Sequence, residues 1–378
     1  MSEAVEIIEK ARQLVETKHD RAKSFKEQTG NSIIGYTCPY VPIEIISAAG
    51  ALPVWVLGNT KTVVKATEFT QSYFCRYMRN ILDLGLRGDY DYLDGLVVPR
   101  VCDTMNSFYE HWVKYITTPY KWFLQHPFVT DKSYALTYWT TELTAFRKSL
   151  EEFTGRQISD DALREAIDVH NTNRALLRQL HDLQRSDVVP ISGTEALFVL
   201  LSGLTMPVED HNKLLQELIR ELPQRREAPK GKHRLMLIRG CAAEDVTPFL
   251  EEIEKLGGIV VTDETCTGTE RFSRDVAIDD DPLSAIAQHY LCGVHSAEYS
   301  PMEHMFEHML KEAEDYKVQG SVFLLEKYCD PYAMAYPDLR KALEKRKIPS
   351  LLIETGETGM PFGQIRTRIQ AFFEMIGG

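Results

Sequence analysis

The chain has 378 residues, 44% of them apolar and 26% charged, which is ordinary for a globular protein and long enough for two cores. Lys+Arg 43 against Asp+Glu 55 leaves a net charge of -12, which argues against bulk nucleic-acid binding while allowing a local basic pocket for an anion. No apolar run is long enough to span a bilayer, and the charged, amphipathic N-terminus lacks the uninterrupted apolar region of a signal peptide, so a cytoplasmic protein without a membrane partner is expected.

The N-terminal segment predicts a helix with Val5, Ile8, Leu14 and Val15 on its apolar stripe. SIIGYT (32–37) reads as a short strand running into CPYVP, where Pro39 and Pro42 impose an irregular turn. A helix over Glu44–Ala49 with Gly50 at its C-terminus follows, then a buried strand at 52–57. A helical stretch runs from Cys75 to Leu84, and LVVP (96–99) is a strand leading to Cys102. Thr104–Tyr115 is helical and YKWFL (120–124) is another strand, and this alternation predicts a parallel α/β arrangement.

Between 137 and 187 the period changes to that of packed helices, through Leu143, Phe146, Leu150 and Phe153 and then Leu163, Ile167, Leu176 and Leu177. Ser159-Asp160-Asp161 is a helix start, and 194–224 is also helical. The polar segment 222–233 reads as a linker, after which strands at 234–240, 257–263, 321–326 and 350–355 alternate with a helix over Asp245–Leu256. An amphipathic helix over Gln364–Ile376 should cover the second sheet through Ile365, Ile369, Phe372 and Phe373. The expected architecture is two flavodoxin-like or Rossmann-like α/β domains with short parallel sheets, at 1–135 and 225–378, plus a helical segment at 136–224.

Seven cysteines, at 38, 75, 102, 241, 266, 292 and 329, form no CxxC and no disulfide-type framework, so any metal centre must be assembled by tertiary folding. Cys102 and Cys329 each follow an apolar run and precede an aspartate, in GLVVPRVCD and GSVFLLEKYCD. If both runs are strands, both thiols lie past strand C-termini, where open α/β sheets bind ligands. Cys75 in SYFCR is near enough to join them, and Cys38 in the proline-bracketed turn is a further candidate. Convergent thiolates suit iron–sulfur or zinc, whereas isolated cysteines are equally at home as small buried hydrophobes. Asp103 and Asp330 are expected to organise the loops or cap the following helices. Cys241, Cys266 and Cys292 are read as structural, and Tyr36, Tyr40, Tyr73, Phe74 and Tyr77 as an apolar wall around the first two cysteines.

Other chemistries have weaker support. Asp263-Glu264 at a strand end is a catalytic candidate, although acidic residues there are common in solvated loops; the histidines at 111, 126, 211, 289, 295, 304 and 308 form no HExxH, and His304 and His308 are equally a solvated helix face. There is no GxGxxG or Walker A sequence, and KGKHR (230–234) lacks a glycine-rich phosphate cradle.

IGYTCPYVPIEIISAAGALPV, QSYFCRYMRNILDLGL, DGLVVPRVCDT and KYCDP resemble the 2-hydroxyacyl-CoA dehydratase and benzoyl-CoA reductase family over essentially the whole chain. GRQISDDALREAIDVHNTNRALL and LTMPVEDHNKLLQEL look most similar to the smaller cluster-binding core subunit of the ATP-dependent reductase. The resemblance implies a 4Fe-4S cluster held by Cys75, Cys102 and Cys329, with Cys38 as a fourth candidate. It also implies a larger homologous core subunit, ATPase-type activating subunits with their own iron–sulfur cluster, and an aromatic acyl-CoA substrate. The expected role is that of an oxidoreductase subunit through which low-potential electrons pass for ring dearomatisation. The alternatives are a β-like subunit of a 2-hydroxyacyl-CoA dehydratase, a lyase, or a non-catalytic electron-transfer or scaffold subunit. Relatives with a double-cubane cluster carry a Cys-x-Cys pair where this chain has GVHSA (293–297), a departure that disfavours that cluster. The residues point to no catalytic acid.

Overall fold

Two parallel sheets of four strands organise the chain, in a computed structural model that describes residues 2–59, 61–225, 228–240, 244–278, 280–294, 296–356 and 362–377. Cys241 and His295 lie outside the described residues. The first sheet comprises β1 (Ile33–Tyr36), β2 (Leu52–Trp55), β3 (Gly95–Pro99) and β4 (Tyr120–Leu124), in the order β2-β1-β3-β4. The second comprises β5 (His233–Ile238), β6 (Gly258–Glu264), β7 (Gly320–Glu326) and β8 (Ser350–Thr355), in the order β6-β5-β7-β8.

The two orders are the same, so β3 and β7 hold equivalent places beside β1 and β5. In each sheet the direction of winding reverses at that central pair, and the crevice past the strand C-termini opens there. All strand pairs are parallel, with Gly35 opposite Leu96 in one sheet and Leu237 opposite Val322 in the other. Parallel strands covered on both faces need apolar residues at successive positions, which is why LVV and VFLL mark them so plainly.

Fourteen α-helices lie among the described residues. In the first half they are α1 (Glu3–Glu16), α2 (Lys18–Thr29), α3 (Ile43–Ala48), α4 (Arg76–Arg87), α5 (Asp103–Tyr115), α6 (Ser133–Thr154) and α7 (Asp160–Asp182). The rest are α8 (Gly193–Gly203), α9 (Val208–Glu221), α10 (Thr247–Lys255), α11 (Pro282–Cys292), α12 (Glu303–Asp315), α13 (Asp330–Lys345) and α14 (Phe362–Gly377). Ser159 caps α7 by accepting from the Ala162 N–H, and Ser192 and Glu195 form a reciprocal capping box on α8. In α1 the buried residues are Ala4, Ile7, Ile8, Ala11 and Val15, so the inward stripe is rotated away from the expected Val5 and Leu14.

The helical middle of the chain packs toward both sheets: α7 meets α3 and α11, while α8 meets α1, α10 and β6. One continuous apolar cluster accordingly runs from Ile33 and Leu96 in the first sheet to Leu237 and Val322 in the second. Over the second sheet, α14 lays Phe372 against Gly320 and Phe373 against Gly258, where the strands carry no Cβ. No described helix is long and apolar enough to cross a membrane.

Candidate functional site

Three helices begin at the three cysteines the sequence singles out. Cys75 is the N-terminal flanking residue of α4, Cys102 of α5 and Cys329 of α13. Cysteine is not a favoured residue there, and none of the three side chains caps its helix with a hydrogen bond. The gain is electrostatic, because the free N–H groups and dipole at a helix start favour a negative thiolate. Asp103 and Asp330 are exposed in the first helical turns, where their negative charge is favoured by the helix dipole, and the cap positions are held by Cys102 and Cys329.

Cys102 follows β3 and Cys329 follows the equivalent β7, so the paired sheets deliver one thiol each from matching crevices. Cys75 arrives from the turn before α4 rather than from a strand end. The backbone just before Cys329 is unusual: Tyr328 has φ of 69°, a left-handed conformation that a bulky side chain rarely adopts. The Cys329 N–H donates to the Glu326 carbonyl across this turn. Opposite it, a Cβ on Gly240 would stand 3.4 Å from the Cys329 sulfur and 3.6 Å from the Tyr332 ring. Those are ordinary van der Waals distances, so the end of β5 packs directly against the thiol and the ring.

The three thiols feel one another. Burial first, then the charges of Cys329 and Cys102, push the Cys75 thiol well above its usual range, while the Met78 N–H acts in the opposite sense. Among the described residues, no three histidine, cysteine, aspartate or glutamate side chains are arranged to hold a single metal ion. The three thiols share one field. Thiolates are the donors that an iron–sulfur cluster or a zinc ion takes. Cys38, past β1, is 3% exposed and shares Tyr299 as a neighbour with Cys102, so it lies beside the group.

The remaining cysteines separate cleanly. Cys292 ends α11 and is exposed. Cys266 is buried with its sulfur 4.0 Å from the Glu298 carboxylate. Of the expected aromatic wall, Tyr36, Tyr40, Phe74 and Tyr77 are buried, whereas Tyr73 is exposed.

Two expectations are corrected. Asp263-Glu264 is not a solvated pair: Glu264 is 1% exposed at the end of β6 and Asp263 is half-buried. His308 is not on a free helix face, because its Nδ1 lies 3.6 Å from Glu264 Oε2. Isolated sequence positions carry no hint of this, since the two residues lie on β6 and α12, far apart along the chain.

Beside the thiols the two halves are joined by a buried polar seam that sequence reasoning missed. The Tyr40 hydroxyl donates to Ser296 Oγ at 2.7 Å and to Glu270 Oε1 at 3.3 Å, and Ser296 in turn donates to Glu298. Tyr299 packs edge-on against Tyr40 at 4.4 Å between ring centres, and the His126 ring lies tilted over it at 4.3 Å. A second junction pairs Glu44 of α3 with Arg174 of α7, and the Tyr290 hydroxyl of α11 donates to Glu44 at 2.8 Å. The one available signal was Glu270 in ETCTGTER, whose cluster of small polar residues after a strand marks a shaped turn.

Two like-ordered parallel sheets, with Cys102 and Cys329 past matching strand ends, define an α/β protein of two similar halves. The chain belongs to the 2-hydroxyglutaryl-CoA dehydratase, D-component family, which matches residues 38–376. It is 28% identical over 362 residues to a benzoyl-CoA reductase subunit of Thauera aromatica, covering 94% of each chain. It is 25% identical over 386 residues to the (R)-phenyllactyl-CoA dehydratase beta subunit of Clostridium sporogenes, covering 100% of each. The beta subunit of (R)-2-hydroxyglutaryl-CoA dehydratase from Acidaminococcus fermentans is 28% identical over 360 residues, covering 92% of this chain and 93% of that one. The relatives are thus subunits of enzymes that act on CoA thioesters, and they include both reductase and dehydratase subunits.

Proposed function

We propose that this chain is the iron–sulfur core subunit of an ATP-dependent aromatic acyl-CoA reductase, with benzoyl-CoA as the type substrate. The observation that carries the reading is the set of three cysteines at three helix starts, drawn from both sheets and within one another's field. Cys75, Cys102 and Cys329 would hold a 4Fe-4S cluster, with Cys38 standing next to them as a further candidate. When bound, the cluster supplies single electrons at low potential.

The chain's own residues do the rest. The N-termini of α4, α5 and α13 stabilise thiolate charge. The buried Phe74 and Tyr77 keep water from one side of Cys75, which strengthens every charge interaction there. A larger homologous core subunit and ATPase-type activating subunits with their own cluster would complete the electron path. The similarity to a subunit of a benzoyl-CoA reductase supports the reductase reading. Similarity of the same order to two dehydratase beta subunits supports a second reading, a lyase subunit in which the electron is recycled.

Anaerobic purification with the partner subunits, iron and sulfide analysis, EPR, and assays with benzoyl-CoA and 2-hydroxyacyl-CoAs test both readings. Iron and sulfide should be present, and ATP-dependent reduction of the aromatic thioester should follow. Turnover of only the 2-hydroxyacyl thioesters would replace the reductase with the dehydratase. Serine at Cys75, Cys102 or Cys329 should abolish the cluster signal, and serine at Cys292 should leave it intact. Full iron content in all three ligand variants would sink the assignment.

A further inference from the structure

A small polar cavity of about 30 Å³ lies where the two halves of the chain meet α7. Its walls bring together Tyr36 at the end of β1, Pro39 from the turn that follows, and His170 and Arg174 of α7. Arg271 from the turn after β6 and His289 of α11 close the other side. No described cysteine lines it. The space is enough for about two water molecules.

Two groups on these walls lack an acceptor. Arg271 is half-buried, and among the described residues its guanidinium has neither an ion-pair nor a hydrogen-bond partner. It stands 5.7 Å from the centre of the Trp55 ring, near the outer limit of cation–π attraction. Tyr36 is 3% exposed, and its hydroxyl also has no hydrogen-bond partner among the described residues. Buried donors are ordinarily satisfied, so a cation and a hydroxyl unsatisfied on one cavity call for an occupant that accepts.

The charges around the cavity do not balance. Glu44 is committed elsewhere, since it pairs with Arg174 and accepts from the Tyr290 hydroxyl at 2.8 Å. Asp275 is likewise taken, by Arg178 at 2.7 Å. The guanidinium charges of Arg174 and Arg271 against the Glu44 carboxylate leave one positive charge over. His170 and His289 add none at neutral pH, because burial pushes each imidazole down to about 4. Burial also pulls the Arg271 guanidinium below its ordinary value, and the Arg174 charge adds to that pull. A buried charge without a counterion is strongly destabilising.

We propose that this cavity binds one small monovalent anion, of the size of chloride or formate, between the Arg271 guanidinium and the Tyr36 hydroxyl. A single negative charge balances the excess, and room for about two waters excludes a nucleotide's phosphate chain. The position also gives the ion a structural consequence. Glu270, the neighbour of Arg271, accepts from the Tyr40 hydroxyl at 3.3 Å, and Tyr40 follows Pro39 in the turn that carries Cys38. An anion between Tyr36 and Arg271 therefore fastens the same two chain segments a second time. The site is independent of the reaction proposed above.

Thermal melting of the full chain at constant ionic strength tests the site, with gluconate replaced stepwise by chloride or by formate. The melting temperature should rise by about 2 °C for each tenfold increase in the small anion above its dissociation constant. Arg271→Gln should lose that rise, whereas the exposed Arg274 should be replaceable by glutamine with the rise intact. Crystals soaked in bromide should show an anomalous peak in the cavity against Arg271. A wild-type melting temperature unmoved by both ions, or a rise of equal size in Arg271→Gln, overturns the proposal. If Arg271→Gln fails to fold, the bromide soak decides, and a cavity that holds only water overturns it.

Discussion

Glu44 illustrates how one side chain ties the halves together. It is fully buried in α3, paired with Arg174 of α7 and hydrogen-bonded by Tyr290 of α11. Burial alone would raise its carboxyl, but the Arg174 guanidinium and nearby histidines hold it at about 2. The folded value lies below the ordinary one, so the pair contributes stability that is complete above pH 4.5 and lost as the pH falls toward about 2. Glu44→Gln should cost about 3 kcal/mol at neutral pH because it leaves the Arg174 charge without its buried counterion. In urea titrations the gap between wild type and variant should narrow through that acid window. A gap that stays constant from neutral pH to pH 2 would show that the pair contributes by packing alone.

At the scale of elements, the glycines of the second sheet set how closely α14 can lie. A Cβ at Gly258 would stand 2.6 Å from Phe373 Cζ and 2.7 Å from Ile253 Cγ2, so it is squeezed between α14 and α10. Gly258→Ala should therefore destabilise by about 1–3 kcal/mol through overpacking. Adding Phe373→Leu should recover part of that loss, and a double-mutant cycle with no coupling would refute the close-packing account. The same packing explains what the sequence disclosed. Strands covered on both faces must be apolar throughout, so β3, β5, β6 and β7 stand out as runs, and the thiols at Cys102 and Cys329 are legible as strand-end positions. By contrast, α11, α12 and α13 did not emerge as a set of covering helices, because each interrupts its apolar stripe with charged, histidine or proline residues, such as Pro337 within α13. Glu264 was illegible for a different reason. Its burial and its histidine partner are properties of a tertiary contact, and no local pattern encodes them.

For the whole molecule, the placement of the thiols makes a cluster a cross-link between two halves. Cys75 and Cys102 belong to the chain around the first sheet and Cys329 to the second, while Tyr40, Ser296 and Glu270 span the same junction through hydrogen bonds. A ligand that binds only the folded arrangement stabilises it by about 4 kcal/mol when present at a thousand times its dissociation constant. Cluster loading should therefore raise the melting temperature and slow hydrogen exchange at the starts of α4, α5 and α13 together. Anaerobic chelation should reverse the protection at all three. In Cys329→Ser, which should lose the cluster, the protection should be missing at all three helix starts. Protection confined to one half in the wild-type chain would mean that the thiols do not share a centre, and the helix starts would then be three separate thiol sites that happen to lie in one field.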